Sequence, residues 1–333
     1  MKRHSSKEKK KAFKNSIFVV NKLYLLVIFI LIAIADGALA ILSLFVYFGI
    51  YIWHKLTARL PIEVRGEFQY ITKVYKRVDD YELKMDIWYP NQSSSSYPLV
   101  VFAHGGGWIS GFRNQPNNIS WCKYLASKGF VAASIDYRFG FKSDLGDILS
   151  DYDDALDFLR SHSEELGLDI GKILLMGLSA GGHLSLLYSS YYSYMEDKAR
   201  MDGICGVVAY YAPSDLTDLL STESKSLFAK YATVKTLKGK PDEQGEEYKY
   251  YSPIYWISRN MSPVLIVQGK EDKTVPFSSA LKLVSELKEY GIEYELLVHP
   301  SGDHCFEMNS KDFQTVRILN RTINWMRGMI SKK

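Results

Sequence analysis

The sequence contains few cysteines, three among 333 residues, at positions 122, 205 and 305. Three scattered thiols cannot build the set of disulfides that holds small secreted domains together, and their spacing does not match a structural zinc site. Proline is also scarce, with 10 residues, and the 23 glycines follow no regular period. These absences exclude fibrous, collagen-like and solenoid architectures.

A domain with an excess of one charge is missing as well. The chain is 47% hydrophobic and 23% charged, a composition typical of folded globular proteins. Its net charge of +4 is uneven, because residues 1–22 hold eight Lys or Arg against one Glu, a balance of +7, which leaves −3 for the rest. The positive charge is a tail, and nucleic acid is not an expected partner.

One long hydrophobic run, residues 23–53, follows this basic tail and contains a single charged residue, Asp36. As a helix, a run of this length measures about 46 Å, whereas the hydrocarbon core of a bilayer is about 30 Å thick. A cleaved signal peptide has a shorter apolar core. We therefore expect a retained transmembrane anchor, and through it the membrane as a partner.

Two topologies of this anchor are open: a single tilted span, and a hairpin that turns at Asp36. The tail is far more basic than the segment that follows the run, which holds His54, Lys55 and Arg59. The positive-inside rule therefore favours a single span, with residues 1–22 in the cytoplasm and the bulk of the protein on the extracytoplasmic side. A hairpin would return that bulk to the cytoplasm.

Residues 54–65 are predicted to be a polar linker, and residues 66–333 an α/β domain. Phe68–Arg77 and Glu82–Tyr89 alternate polar and apolar residues, which predicts an antiparallel hairpin. Short apolar runs then alternate with helical periodicity, which predicts a mostly parallel, doubly wound sheet. Polar residues 215–254 interrupt the alternation and are predicted to form a small lid-like insertion over one end of the sheet. The later strands are predicted at Leu99–Ala103, Val131–Ile135, Ile173–Met176, Gly206–Tyr210, Val264–Val267 and Tyr294–Val298, and the helices at Ser120–Ser127, Leu149–Glu165, His183–Tyr192, Ser278–Tyr290 and Asp312–Met329.

Residues 177–181 have the sequence GLSAG and lie between an apolar run and a helical segment. This strand–turn–helix context is the one in which a nucleophile elbow occurs. The glycines permit a sharp turn, and the hydroxyl of Ser179 would be exposed at the helix N-terminus, where the helix dipole favours negative charge. Ser179 is therefore the candidate nucleophile.

Residues 104–108, with the sequence HGGGW, follow another apolar run. Consecutive glycines leave backbone N–H groups free to bind an oxygen that becomes negative during acyl transfer. Together with the N–H of Ala180, those of Gly106 and Gly107 are predicted to form an oxyanion hole. His104 and Trp108 are candidate substrate contacts, with loop bracing and packing as the respective alternatives.

A serine needs a base to remove its proton, and the base needs an acid that fixes its tautomer. Asp272 follows the run that ends at Gly269, with Glu271 as the alternative acid, and His304 follows the next strand. The carboxyl ends of parallel strands meet at one edge of a sheet, so these side chains are expected to lie together. The order Ser179, Asp272, His304 is that of α/β-hydrolases.

With these residues, the stretch from about 85 to 329 resembles the hormone-sensitive-lipase-like carboxylesterases, most closely the branch similar to bifunctional xylanolytic and feruloyl esterases. The resemblance implies an α/β-hydrolase fold, Ser179 as nucleophile, His304 as base and Asp272 as acid. The residues that match are 104–108 with Gly111, Asp136-Tyr137-Arg138, 177–183, Pro213 with Asp215-Leu216, Ser252-Pro253, Gly269 with Asp272, Val275-Pro276, and His304 with Phe306.

The leading hypothesis is a membrane-anchored serine carboxylesterase that acts on a small-molecule ester, with short acyl chains expected, through an acyl-enzyme. This chemistry requires no metal or cofactor. One alternative is a peptidase or amidase of the same fold, and another is a catalytically silent, membrane-tethered binding protein. The sequence leaves the acyl group, the alcohol and the oligomeric state open.

Overall fold

A computed structural model describes residues 59–79 and 81–332, together with positions 27, 28, 30, 31, 37, 41–43, 45, 46 and 49. The predicted basic tail, 1–22, lies outside the described residues, and so do most positions of the predicted anchor, 23–53. The positions described between 27 and 49 are helical. Among all described residues, no helix has both the length and the apolar character needed to cross a bilayer.

Within the described part of the chain, eight strands form one sheet. The strands are β1 (Tyr70–Val78), β2 (Tyr81–Trp88), β3 (Tyr97–Ala103), β4 (Val131–Ile135), β5 (Leu168–Leu178), β6 (Ile204–Tyr210), β7 (Val264–Gly269) and β8 (Tyr294–His299). Their order across the sheet is β1-β2-β4-β3-β5-β6-β7-β8. The pairs β1–β2 and β2–β4 are antiparallel, and every other neighbouring pair is parallel. The predicted mostly parallel sheet with an antiparallel N-terminal hairpin is therefore confirmed.

Helices cover both faces of this sheet. Consecutive residues of β3 belong to different apolar clusters, with Val101 in one and Val100 in the other, and both are fully buried. A strand buried on both faces needs a continuous apolar run, which is why these strands do not alternate. Within residues 59–79 and 81–332, the α-helices are α1 (Pro116–Ser127), α2 (Leu145–Ser161), α3 (Ser163–Leu166), α4 (Ala180–Tyr194), α5 (Lys198–Met201), α6 (Leu227–Thr236), α7 (Pro241–Tyr250), α8 (Phe277–Glu289), α9 (Phe306–Asn309) and α10 (Phe313–Ser331).

The predicted start of the second helix, at Leu149, was wrong by one turn, because α2 begins at Leu145. The side chain of Asp144 accepts a hydrogen bond from the Asp147 N–H at 2.8 Å, and the Asp147 carboxylate accepts one from the Asp144 N–H at 3.3 Å. This reciprocal cap satisfies N–H groups that a helix start leaves free. The cap, rather than the first apolar residue, sets where the helix begins.

The parallel strands leave their carboxyl ends at a single edge of the sheet. The segments that follow β3, β5, β7 and β8 carry the four sets of residues for which the sequence predicts chemistry. Residues 215–254, between β6 and β7, contain α6, α7 and two short 3-10 helices, at Leu216–Leu220 and Pro253–Trp256.

A buried ion-pair network ties the antiparallel edge of the sheet to α2. Asp151, whose side chain has no exposed surface, accepts from the Arg138 Nε at 2.9 Å and from the Lys76 Nζ at 2.7 Å. The same lysine reaches Asp154 at 2.6 Å, but that carboxylate is 43% exposed. The two aspartates thus share a partner and differ in burial.

We expect the Asp151→Asn variant to lower the free energy of unfolding by about 2–3 kcal/mol, because it removes a buried charge that holds two cations. Asp154→Asn, its matched control, should cost less than about 1 kcal/mol because water screens that pair. Urea unfolding of the two variants and the parent protein gives both values. Equal losses would show that burial does not set the strength of these pairs.

Candidate active site

The nucleophile elbow is a sterically tight turn between β5 and α4. Ser179 has φ 52° and ψ −115°, a backbone conformation that residues other than glycine rarely adopt. A Cβ atom at Gly177 would lie 2.1 Å from the carbonyl carbon of Gly181, and one at Gly181 would lie 2.1 Å from the Ala103 oxygen. Both glycines of the motif are therefore required by the close approach of neighbouring backbone.

The structure brings Ser179, His304 and Asp272 together in a hydrogen-bonded line. The Nε2 atom of His304 lies 3.0 Å from the Ser179 Oγ, and its Nδ1 lies 2.8 Å from the Asp272 Oδ2. With the proton on Nδ1, the ring donates to the carboxylate and its Nε2 can accept the serine proton. This is the geometry that general-base activation of a serine requires.

Asp272 is fixed by three further donors. The backbone N–H groups of Thr274 and Val275 donate to its Oδ1 at 2.8 and 2.9 Å, and the Gln268 side-chain amide donates to its Oδ2 at 3.0 Å. The carboxyl group is completely buried in the protein. Asp272, and not the alternative Glu271, is the acid that contacts the histidine.

Sequence reasoning missed Gln268, the penultimate residue of β7. Its side-chain N–H₂ group also donates to the Val275 carbonyl at 3.0 Å, so one amide holds both the acid and the loop that follows it. A polar residue in an otherwise apolar strand, VLIVQG, was the available signal. In its position it keeps the Asp272 carboxylate aimed at the histidine.

The glycine loop, residues 104–108, lies directly against Ser179. A Cβ atom at Gly105 would lie 3.5 Å from the Cβ of Ser179. Gly106 and Gly107 have φ values of 132° and 60°, and a side chain on Gly106 would overlap the Ser110 carbonyl. In the described part of the chain, the N–H groups of Gly106, Gly107 and Ala180 donate to no other group. The three are thus available to a ligand oxygen, as the predicted oxyanion hole requires.

His104 and Trp108, the candidate substrate contacts, are buried against protein groups. The His104 ring stacks on Tyr137 with centroids 4.1 Å apart, and its Nδ1 lies 2.8 Å from the Gly105 oxygen. Burial lowers the pKa of His104 to about 4, so the ring is neutral at pH 7. Trp108 packs edge-on against His183. These contacts favour bracing roles, and contact of either residue with substrate stays a prediction.

The matched residues Asp136 and Tyr137 hold the glycine loop from the next strand. The Tyr137 hydroxyl donates to the His104 carbonyl at 2.7 Å. Asp136 accepts from the N–H and the guanidinium of Arg113, and that guanidinium also reaches Asp86 on β2 at 3.0 Å. The glycine loop is therefore fixed at both ends by buried polar contacts, which is the preorganisation that the predicted oxyanion hole would need.

His183, one turn into α4, packs behind the elbow. Its Nε2 lies 2.7 Å from the Tyr251 carbonyl, and burial lowers its pKa to about 4. In the described structure neither ring nitrogen bonds to Ser179, and the ring is neutral at pH 7. It connects the elbow helix to the end of the 215–254 insertion, so its role is structural.

Helix α6 of the 215–254 insertion lies against the glycine loop. A Cβ atom at Gly107 would lie 2.9 Å from the Ala232 Cβ and 3.1 Å from the Phe228 ring. Phe228 remains 51% exposed, and the nearby rings of Tyr231 and Phe141 are 6.5 Å apart. An exposed apolar surface thus borders the site, and whether it works as a lid stays a prediction.

The BD-FAE family matches residues 85–287, more than half of the chain. Among curated relatives, Esterase LipC of Mycobacterium tuberculosis is 27% identical over 237 residues, which cover 69% of this chain and 58% of that protein. The acylamino-acid-releasing enzyme of Arabidopsis thaliana is also 27% identical, over 66% of this chain and 29% of that protein. The chain thus spans about half the length of LipC and less of the second relative.

Among solved structures, Thermogutta terrifontis esterase 2 phosphoramylated by tabun is 27% identical, covering 81% of this chain and 97% of that chain with a TM-score of 0.63. The same esterase has been solved with propionate bound and with butyrate bound. The esterase names agree with the predicted class of carboxylic ester hydrolase, and the predicted resemblance to α/β-hydrolase carboxylesterases is confirmed. The chain belongs to the BD-FAE family and has the α/β-hydrolase fold.

Proposed function

We propose that this protein is a serine carboxylesterase that hydrolyses small-molecule carboxylic esters through an acyl-enzyme. The observation that carries this proposal is the hydrogen-bonded line from Ser179 through His304 to Asp272, beside three backbone N–H groups that donate to no group among the described residues. A nucleophile, a base with a fixed tautomer and donors for a developing oxyanion are the three parts that acyl transfer needs.

The reaction proceeds in two matched halves. His304 Nε2 takes the Ser179 proton as the hydroxyl oxygen attacks the ester carbonyl, and the resulting oxyanion accepts from the N–H groups of Gly106, Gly107 and Ala180. Collapse of the tetrahedral intermediate breaks the C–O bond, and the alcohol leaves with the proton that His304 held. Water then attacks the acyl-enzyme by the same route, which releases the carboxylic acid and restores the Ser179 hydroxyl.

Two further arguments favour esters with short acyl chains. Propionate and butyrate are the molecules bound in two structures of the Thermogutta esterase. Helix α6 lies against the glycine loop, with Phe228 beside Gly107, and so limits the space next to the reacting carbon. A peptidase or amidase activity is the second candidate, because the acylamino-acid-releasing enzyme is among the relatives.

We expect the full-length protein in detergent to hydrolyse p-nitrophenyl acetate and butyrate faster than the octanoate and palmitate esters, and faster than an amino-acyl anilide. Ser179→Ala should lower kcat by at least about 10⁴-fold, since it removes the nucleophile. Ester turnover is measured by release of p-nitrophenol, and reaction with a fluorophosphonate probe reports the serine directly.

The same assay separates the alternatives. Serine-dependent cleavage of the anilide in preference to the esters would support the amidase. Folded protein that neither turns over esters nor reacts with the probe would support the silent binding protein. Full activity of Ser179→Ala would refute the proposed mechanism.

We also propose that the 215–254 insertion is a lid whose residue Phe228 bounds the acyl chain. Phe228 belongs to a helix that packs against Gly107, whose N–H is a proposed oxyanion donor. The half-exposed aromatic ring offers an apolar surface next to the position that a substrate carbonyl would occupy.

For Phe228→Ala we expect kcat/KM to fall about five- to tenfold with p-nitrophenyl butyrate and less than about twofold with the acetate, because loss of an apolar contact of about 1–1.4 kcal/mol affects only the longer chain. Tyr194→Ala is the control, since this equally exposed ring lies at the far end of α4. An equal decrease of kcat/KM with both esters would show that Phe228 does not discriminate between acyl groups.

The third proposal is that residues 23–53 anchor the enzyme in a membrane, with the tail cytoplasmic and the catalytic domain extracytoplasmic. It is supported by the apolar length of this run and by the charge difference across it. A hairpin anchor, which would leave the catalytic domain in the cytoplasm, is the alternative.

We expect a C-terminal alkaline phosphatase fusion to be active in intact cells and an N-terminal fusion to be inactive, because that reporter folds only on the extracytoplasmic side. Both fusions should sediment with membranes and resist extraction with carbonate. An inactive but full-length C-terminal fusion in the membrane fraction would support the hairpin, and a soluble fusion would refute the anchor.

A further inference from the structure

A buried tyrosine packs against the histidine of the triad. Tyr211 directly follows β6, is fully buried and has φ 38°, and its N–H donates to the Val267 carbonyl at 2.7 Å. Its ring centroid lies 4.6 Å from that of His304, with the planes inclined by 59°. Asp272 bonds only to Nδ1 of the imidazole, and the tyrosine ring adds a packing contact that limits movement of the imidazole.

A buried carboxyl group in turn holds this tyrosine. The Tyr211 hydroxyl donates to the Glu307 Oε1 at 2.5 Å, and neither residue is exposed to solvent. Glu307 is three residues after His304, at the start of α9, and the chain between them passes through Cys305 in the left-handed conformation. The other oxygen, Oε2, makes no hydrogen bond within the described part of the chain.

Space filling alone does not account for an acid at this position. A buried carboxyl group lowers stability unless it is paired or stays protonated, and an amide or apolar side chain of similar size would avoid that cost. The side chains that interact with Glu307 are those of Tyr210, Tyr211, Trp121 and His304. Of these, only His304 becomes a cation, and it does so during each half of the proposed reaction.

The protonation state of Glu307 is coupled to that of His304. Burial raises the pKa of Glu307 to about 7, while the hydrogen bond from Tyr211 and the nearby His304 oppose that rise. Both protonation states are therefore populated near neutral pH. A positive charge on His304 favours the carboxylate, and the carboxylate in turn favours the imidazolium.

We propose that Glu307, acting through Tyr211, is a positioning residue that orients His304 and stabilises its protonated form during turnover. The inference rests on the proposed serine-hydrolase function, because it assigns His304 the role of base. In the described part of the chain, the Glu307 carboxyl group makes no hydrogen bond to Ser179 or His304. Its effect would reach the reaction through the contact between the Tyr211 ring and the imidazole and through its negative charge.

The test is the pH dependence of Ser179 labelling by a fluorophosphonate, measured on the full-length protein in detergent from pH 5 to 9. This readout needs His304 as base but no knowledge of the natural ester. The Glu307→Gln variant keeps an acceptor for the tyrosine hydroxyl. We expect it to lower the labelling rate on the high-pH plateau about three- to tenfold. We also expect the acidic limb of its pH–rate profile, where the rate falls as His304 is protonated, to move down by about half a pH unit.

Three companion variants separate positioning from structure. Tyr211→Phe removes the link and should reproduce the lowered plateau, and Glu307→Asp should restore the limb that Glu307→Gln moves. Glu289→Gln removes one negative charge from an exposed side chain and should match the parent protein at every pH. The inference would be overturned if Glu307→Gln lowered the labelling rate equally at every pH and left the acidic limb of the profile unmoved. It would also be overturned if Glu307→Gln and Tyr211→Phe were both labelled at the parental rate.

Thermal unfolding gives a second measurement that does not depend on catalysis. Because the folded-state pKa of Glu307 lies above the unfolded value, the folded protein binds more protons between the two, and its stability falls as pH rises through that window. The Glu307→Gln variant should lack this decline, so its Tm relative to the parent should rise from pH 5 to 8. A constant difference would overturn the proposed ionisation.

A parent protein whose serine does not react with the probe at any pH, although it is folded, would contradict the proposed function. Reaction of the parent together with an unmoved limb in the variants would contradict only the role of Glu307. The two failures are therefore distinguishable in one experiment.

Discussion

The close approach of two chain segments at the nucleophile elbow is the constraint on which the site depends. The backbone of residue 181 lies so near the end of β3 that a Cβ atom would overlap the Ala103 oxygen. This contact brings the glycine loop, which begins at His104, against Ser179. The strained backbone of Ser179 is held by the sheet on one side and by α4 on the other, so the hydroxyl and the oxyanion donors share one rigid frame.

Around this frame, buried polar groups orient the side chains of the site, because hydrogen bonds are directional and apolar contacts are not. Tyr137 fixes the loop at His104, and Gln268 aims the Asp272 carboxylate. Tyr211 packs against the histidine ring and donates a hydrogen bond to Glu307. Each group is bound to a strand end or to the segment just after it, so the precision of the site follows from the regularity of the sheet.

Much of the fold and the triad could be predicted from the sequence, because both depend on local patterns. Continuous apolar runs predict the buried strands, and the GLSAG and HGGGW segments owe their glycines to local backbone geometry. The sequence already favoured Asp272 over Glu271 as the acid, and the structure places the Asp272 carboxylate against His304. Gln268 and Glu307 were missed because their partners are set by packing between strand ends, and no periodicity in the sequence reports that contact.

The parts of the site differ in how firmly they are tied to the sheet, and this bears on function. The triad and the glycine loop are held by buried hydrogen bonds. Helix α6, in contrast, packs against the loop through Ala232 and the half-exposed Phe228. Apolar contacts of this kind are not directional and tolerate changes of shape. On the proposed function, acyl transfer takes place at the rigid strand ends. The choice of ester would then depend on the 215–254 insertion, since neither family membership nor the triad determines it.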